Sequence, residues 1–327
     1  MSDGGRTYWV GGATGFLGQA LVHRLRAAGH RVVGISRSGG KVGDVEVQAL
    51  DVCDPERVTA SARGCDGAFY ALGKVSRDPE DAGALHKANL ETTQTALPAL
   101  REAGVPRVVY ASTSGTIAVG TDPQRRYSED DPTPHAIISR WPYYRTKLYA
   151  ERFALEQNGD DFQVVVVNPS LLLGPGDSRG SSNQDVRRLL SGSLPALPAG
   201  GLALVDVRDA AEAMILAFEK GRAGQRYLIS AANLSCSEFF GRLGRLAEVD
   251  VPKLVLPRRR EAALAGHWLY KQTVGLLGIR PAVDSASVDM GSHFWYCDTS
   301  RAERELGFEP RDPQETLRET VEDLMAG

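Results

Sequence analysis

The sequence predicts an α/β fold: a doubly wound parallel sheet, with a smaller subdomain supplied mostly by the C-terminal half. Three observations predict it. Short β-prone runs alternate with helical spacing through residues 1–173, which requires crossover connections and hence a parallel sheet. One run, Gln163–Val167, is apolar without alternation, as suits a strand buried on both faces. Beyond Gly174 the texture changes to Gly-, Ser- and Pro-rich chain with separate helical stretches. A chain of 327 residues allows one large α/β domain or two smaller ones.

The elements follow in order. Tyr8–Val10 is short and β-prone, and Gly15–Ala28 carries Leu17, Leu21, Val22 and Leu25 at helical spacing. Arg31–Ile35 and Val47–Leu50 read as strands, Pro55–Ala62 as a short helix and Ala68–Ala71 as a strand. Asp81–Ala103 reads as a long helix with an interruption expected near Pro98. Arg107–Ser112 is a strand, and Tyr143–Gln157 a helix leading to Gln163–Val167. Within 174–201 only Gln184–Leu190 is amphipathic. Val207–Glu219 is a helix, Gln225–Ile229 is strand-like, and Ser235–Ala247 is a helix opened by a Ser/Cys/Ser cluster. Leu254–Leu256 is apolar; the basic run Arg258, Arg259, Arg260 then leads into an amphipathic helix reaching about Leu277. Two helices, Thr299–Leu306 and Pro313–Met325, are joined by Gly307–Arg311. The division expected is 1–173 and 174–327, with about 202–230 returning to the first part.

Composition excludes several classes. A net charge of −3 gives no basic excess for a nucleic-acid backbone. With 42% hydrophobic and 24% charged residues, the chain reads as an ordinary soluble globular protein. Its longest apolar run, Ala213–Phe218, has six residues, against about 20 for a membrane span. MSDGGRTYWV has no basic region followed by an apolar core, so no secretory signal is expected. Cys53, Cys65, Cys236 and Cys297 are scattered. They read as thiols in a reducing cytoplasm, with no metal site. The basic run reads as a solvated helix start, a peripheral membrane contact being the lesser alternative. Glycine is in excess, 35 residues of 327, so its placement matters.

Gly11-Gly12-Ala13-Thr14-Gly15-Phe16-Leu17-Gly18 lies between the first strand and the first helix. Glycine allows a tight turn and close backbone approach, and the helix start offers free N–H groups to a pyrophosphate. Glycines at 12, 15 and 18, in strand–turn–helix order, make a phosphate-binding turn the favoured reading.

With that turn the chain resembles the extended branch of the short-chain dehydrogenase/reductase superfamily along nearly its whole length. It is most similar to the dihydroflavonol-4-reductase-like and 3β-hydroxysteroid-dehydrogenase-like reductases of the NAD-dependent epimerase/dehydratase family. The resemblance implies a Rossmann-type core with Gly12, Thr14, Gly15, Phe16, Leu17 and Gly18 at the cofactor. It places Asp51-Val52 at adenine and Ala71-Leu72-Gly73 beside the cofactor. Asn89 takes the place of an active-site-supporting asparagine. Asn168-Pro169-Ser170 and Gly174-Pro175-Gly176-Asp177 follow the strand whose end meets the nicotinamide. Val205-Asp206-Val207-Arg208-Asp209 resembles the return into the sheet, and Thr299–Phe308 the closing signature. The C-terminal part is implied to bind substrate, and a homodimer through the long helix and the 143–157 helix is an open option.

An NAD-specific site places an acid at the end of the second strand. Here that position reads Ser36-Arg37-Ser38. A guanidinium matches a 2′-phosphate in charge and geometry, so NADP(H) is expected over NAD(H). Tyr143 and Lys147 are four apart, on one helix face, where an ammonium is expected to lower the tyrosine pKa from ~10. Tyr144 has Leu148 at that offset and reads as a packing or substrate residue. At the end of the fifth strand the resemblance puts a catalytic hydroxyl on Thr113, with Ser112 and Ser114 one residue away and still open.

The chemistry implied is hydride transfer to a ketone or aldehyde, or the reverse. Thr113 and Tyr143 hold the oxygen, Tyr143 acts as acid/base, and Lys147 tunes Tyr143 and holds the cofactor ribose. Asn89 supports a proton relay. Alternatives are an NAD-dependent nucleotide-sugar epimerase or dehydratase and a non-catalytic NADP-binding regulator. The expected partner is a small, fairly apolar substrate, with Trp268, Tyr270, Phe294, Trp295 and Tyr296 as candidate pocket aromatics. Residues 178–200, with a short apolar stripe of Val186, Leu189 and Leu190, are expected to form a mobile lid.

Overall fold

A computed structural model describes residues 5–178, 180, 182–276 and 283–326. β1 (Thr7–Gly11) enters a glycine turn and α1 (Phe16–Ala27). β2 (Arg31–Ser36) is followed by β3 (Gly40–Val42) and β4 (Val45–Ala49), then α2 (Pro55–Ala62) and β5 (Gly67–Tyr70). α3 (Ala82–Leu85) passes through a π-helical turn (His86–Glu91) into α4 (Thr92–Glu102), and β6 (Arg107–Ala111) follows. Next come α5 (His135–Ile138), α6 (Pro142–Glu156), β7 (Gln163–Pro169), β8 (Leu171–Leu173), α7 (Gln184–Leu190) and β9 (Gly201–Asp206). α8 (Val207–Lys220) leads to β10 (Arg226–Ile229), β11 (Ala232–Ser235) and α9 (Cys236–Ala247). α10 (Arg260–Leu276), α11 (Ser285–Met290), α12 (Ser300–Leu306) and α13 (Pro313–Ala326) complete the chain.

Among the described residues, eight strands form one sheet in the order β10-β7-β6-β5-β1-β2-β4-β3. Every neighbouring pair is parallel except the β3–β4 hairpin at the edge. Alternate residues feed two cores. Val10, Phe69, Val109 and Val165 pack with α1, α8 and α12, whereas Trp9, Tyr70, Tyr110 and Val166 pack with α2, α4 and α6. Two-sided burial explains the unbroken valine run of β7. The chain steps from β1 outward to β4, then returns to β5 and continues to β10. The strand order therefore reverses between β1 and β5, where an open parallel sheet presents a crevice at its carboxyl ends.

A second sheet, β11-β9-β8, packs through Leu173 and Leu204 on α7, α9 and α13 by way of Val186, Leu189, Phe239, Leu243 and Leu317. α9 opens with a capping box between Ser235 and Glu238, the motif behind its hydroxyl-rich start.

Several expectations need correction. The strand expected at Val47–Leu50 is β4, two residues earlier, paired with the unforeseen β3 through a Gly43-Asp44 turn. Pro98 lies inside α4 and is exposed, so the carbonyl it leaves unbonded faces solvent. The irregularity falls instead at Asn89, where Thr92 and Thr93 hydroxyls donate to the carbonyls of Ala88 and Asn89. Within the stretch of about 202–230, β9 pairs in the small sheet although its Val205 packs in the large sheet's core, while α8 covers that core and β10 pairs with β7. In 178–200 the apolar stripe is longer than expected, since Leu194 and Leu197 are buried with Val186 and Leu189; residues 179 and 181 lie outside the described residues. So does Leu277, the expected end of α10. No described helix is long and apolar enough to cross a membrane.

α8 closes one face of the sheet by seating Phe218 against Tyr8 and Phe69, above Gly67, where a Cβ would collide with the Phe218 ring. Gly67→Ala should therefore destabilise the fold by about 1–3 kcal/mol, measured by urea unfolding. Adding Phe218→Leu should recover part of that loss; a double variant worse than the sum of the two single ones would contradict this packing.

Candidate active site

The turn after β1 is fixed by two carbonyls. Gly12 and Ala13 both donate their N–H to Ile35 O, at 2.9 and 3.0 Å, and Gly15 donates to Gly12 O at 2.8 Å. Gly12 has φ +81°, and a Cβ there would stand 2.5 Å from Ala71 O. A Cβ at Gly18 would run into Gly12 O. The turn thus lies flat on the end of β5 with α1 drawn against it. Gly15 gives α1 no side-chain cap, so the helix offers its first amides as an anion cradle. Thr14 and Phe16 border the turn half-buried, and Leu17 anchors it in the core.

At the end of β2, Ser36 is buried and donates to Gly39 O at 3.1 Å. Arg37 and Ser38 are exposed, and Arg37 makes no ion pair among the described residues. Asp51 is exposed after β4, accepting from Cys53 N at 3.0 Å, and Val52 is buried. Ala71 and Leu72 are half-buried, and Gly73 exposed, at the end of β5. Asn89, buried in the π turn, accepts from Lys74 N at 2.8 Å and donates to Lys74 O and Thr146 Oγ1, each at 3.1 Å. It ties the loop after β5 to α6, and its side-chain hydrogen bonds go to Lys74 and Thr146, not to the Tyr143 hydroxyl or the Lys147 ammonium.

Tyr143 and Lys147 both face inward from α6. The Tyr143 phenol has the Thr113 side chain as its polar neighbour. Ser112 is directed instead to Glu151 and Ser114 toward the Cys297 thiol, so of the three hydroxyls it is Thr113 that meets Tyr143. Burial raises the Tyr143 pKa well above its ordinary value, the neighbouring Tyr144 phenol adds to this, and the Thr113 side chain opposes it. The lowering expected from Lys147 does not occur here. The Lys147 ammonium donates to Ala111 O at 2.7 Å and lies over the Tyr110 ring, and burial lowers its own pKa to about 8. Tyr144 stacks on Trp295 with ring centroids 4.8 Å apart, while Phe294 and Tyr296 belong to the core and Trp268 is exposed.

The sequence reading missed the residue beneath this pair. Glu151, fully buried, accepts from Ser112, from Thr116 Oγ1 at 2.8 Å, from Asn168 Nδ2 at 2.7 Å and from Arg226 at 3.1 Å. The signal was present, since Tyr143, Lys147 and Glu151 repeat every four residues on one face. Arg226, from β10, had no local signal. The Asn168 amide points into this network, leaving its Oδ1 and the Ser170 hydroxyl buried without partners. Such groups at a strand end invite a polar ligand.

The sequence model of the NAD-dependent epimerase/dehydratase family matches residues 8–230, from β1 through β10. The chain belongs to that family. Within this extended short-chain dehydrogenase/reductase type, it is 29% identical to a putative dihydroflavonol 4-reductase of Synechocystis sp., covering 97% of this chain and 93% of that protein. It is 32% identical to cinnamoyl-CoA reductase 1 of Arabidopsis thaliana, covering 70% and 71%. Among solved structures, gox2253 superposes with a TM-score of 0.82 at 26% identity, covering 98% of both chains. The chain is thus an epimerase/dehydratase-family enzyme with reductase homologues, and its glycine cradle and sheet-edge polar groups suit the NAD(P) that the family uses.

Removing the carboxylate beneath the site should be costly. Glu151→Ala leaves Arg226 of β10 without its carboxylate partner and should destabilise the fold by about 3–5 kcal/mol, read by urea unfolding. A loss under ~1 kcal/mol would mean that solvent already reaches the pair.

Proposed function

We propose that this enzyme is an NADP(H)-dependent reductase that converts a ketone or aldehyde on a small, fairly apolar molecule to an alcohol. The observation that carries the reading is the inward-facing Tyr143 phenol beside the Thr113 side chain, protonated at neutral pH with a pKa that burial raises further. A protonated phenol is ready to donate to a carbonyl oxygen, the role of an acid in reduction. When bound, the nicotinamide supplies the hydride. Gly12, Gly15 and Gly18 would receive its pyrophosphate and Arg37 a 2′-phosphate. Asp51-Val52 would lie at adenine, Ala71–Gly73 alongside, and Asn168-Pro169-Ser170 at the nicotinamide end.

Thr113 and Tyr143 orient the substrate oxygen between them. Lys147 carries a positive charge below about pH 8 and would hold the cofactor ribose, the second role that the family resemblance gives it. Tyr144 and Trp295 offer a stacked aromatic wall that suits a flat or apolar substrate. The name of one set of reductase relatives, dihydroflavonol 4-reductase, agrees with such a substrate.

Four measurements test this. Arg37→Asp should weaken NADPH binding by roughly 10–150-fold, from the ~1.5–3 kcal/mol of a charge-assisted contact, and narrow the preference over NADH. Unchanged NADPH affinity, or wild-type preference for NADH, would overturn the cofactor assignment. Against a carbonyl panel, Tyr143→Phe should cut NADPH turnover at least ~10²-fold while keeping cofactor affinity; if Tyr144→Phe is the more damaging change, the proton donor is misassigned. Turnover should fall as pH rises through about 8, where Lys147 loses its proton. Lys147→Met should lower both turnover and cofactor affinity, yet be neutral to stabilising at pH 7, because it removes a buried charge.

A further inference from the structure

The outer face of α10 breaks the usual rule for a surface helix, which turns charge to water and apolar side chains inward. Here the inward face holds Ala263 and His267, both buried, and Arg260 fastens the helix to α11 through Asp289 at 2.6 Å. The outward face carries Ala262, Ala265, Trp268, Leu269 and Leu276, with Trp268 61%, Leu269 62% and Leu276 89% exposed. Just upstream, Leu254 and Val255 are exposed as well. These five make up most of the large exposed apolar side chains among the described residues.

Charge accompanies the apolar face. Lys253, Arg258, Arg259, Arg260 and Lys271 stand against Glu261 alone, so residues 253–276 carry +4 in a chain whose net charge is −3. Asp289 neutralises part of this through Arg260 and Arg140. Arg258 and Arg259 are exposed and have no carboxylate partner among the described residues. Both border a surface cavity of about 340 Å³, together with Arg140 and His293.

We propose that residues 253–276 dock on the surface of an anionic lipid bilayer. Trp268, Leu269 and Leu276 enter the headgroup–acyl boundary, and Lys253, Arg258, Arg259 and Lys271 meet the lipid phosphates. An exposed tryptophan on an apolar face with flanking cations is the arrangement that lies in a membrane interface without spanning it. A second copy of the chain fits less well, because an isologous contact sets the same positive surface against itself.

Flotation of the full-length protein with vesicles tests this. Phosphatidylcholine vesicles containing a minority of phosphatidylglycerol should bind the protein at low salt, and phosphatidylcholine alone at least about tenfold more weakly, with binding lost as salt screens the charges. Arg258→Gln with Arg259→Gln should lower partitioning roughly 25-fold, about fivefold per cation. Trp268→Ala should lower it about tenfold. Because Trp9 and Trp141 are buried and Trp295 is half-buried in its stack on Tyr144, a blue shift of emission on binding should disappear in Trp268→Phe. Equal affinity for both vesicle types, or unchanged binding in both the double arginine and Trp268→Ala variants, would overturn the proposal. So would lipid-free dimerisation, seen by light scattering, that Trp268→Asp abolishes, since the face would then be an interface between copies. Unchanged melting curves for the variants would separate lost docking from lost folding.

Discussion

A buried carboxylate tolerates no missing partner, and Glu151 organises the centre of this enzyme for that reason. Its two oxygens collect Ser112 and Thr116 from the segment after β6, Asn168 from β7 and Arg226 from β10. Leaving such a charge unpaired costs several kcal/mol, so these segments must meet at α6 in one arrangement. Lys147 sits one turn away and feels the carboxylate, which works against the lowering of its pKa by burial. The chain's proposed proton chemistry is thus held from below by a pair whose other half arrives 75 residues later. The same arginine donates to Glu129 O at 2.8 Å, and Glu129 accepts from Leu228 N at 2.7 Å. A side chain thereby covers the open edge of β10, which a bare strand would expose to pairing.

The glycine turn is held by close approach. Gly12 lies under Ala71 O and over Gly18, so β1, β5 and α1 converge with no side chain between them. Parallel registry then sets the remaining groups along one edge: Gly11 opposite Ile35 and Tyr70, Tyr70 opposite Tyr110, and Ala111 opposite Val167. Beneath that edge, Tyr70 and Tyr110 stack and share the Thr93 hydroxyl. This gives the floor of the site a rigid, satisfied layer.

Around this floor the C-terminal part is assembled by longer-range pairs. Arg77, in the loop after β5, forms a two-pronged pair with Asp185 of α7 at 2.8 and 3.1 Å and reaches Ser287 of α11. Burial alone would raise the Asp185 pKa, but Arg77 holds it below the ordinary carboxylate range. The clasp joins the small sheet's helices to the cofactor side of the molecule, beside the Tyr144–Trp295 stack. Helix α10 stands apart from this closure, tethered at its start and apolar on its outer face.

Local chemistry made much of the molecule legible in the sequence. The glycine turn, the strand–helix alternation, the two-sided burial of β7, the Tyr143–Lys147 face and the missing acid at Arg37 are all short-range patterns, each set by backbone sterics or side-chain periodicity. The strands β3, β8 and β11 escaped because their runs are brief, and β9 because it emerges from a Gly- and Pro-rich stretch; pairing partners rather than propensity make them strands. Choosing Thr113 over Ser112 and Ser114 required knowing that Glu151 and Cys297 engage the other two. The Tyr143 pKa rises instead of falling because burial and the neighbouring Tyr144 phenol outweigh the Thr113 side chain, none of which the Tyr143–Lys147 spacing shows. The sequence by itself determined the secondary-structure alternation, the glycine turn and the residue types at hand. Only the tertiary structure decided their partners, since a buried charge or hydroxyl is defined by what the fold brings to it from distant parts of the chain.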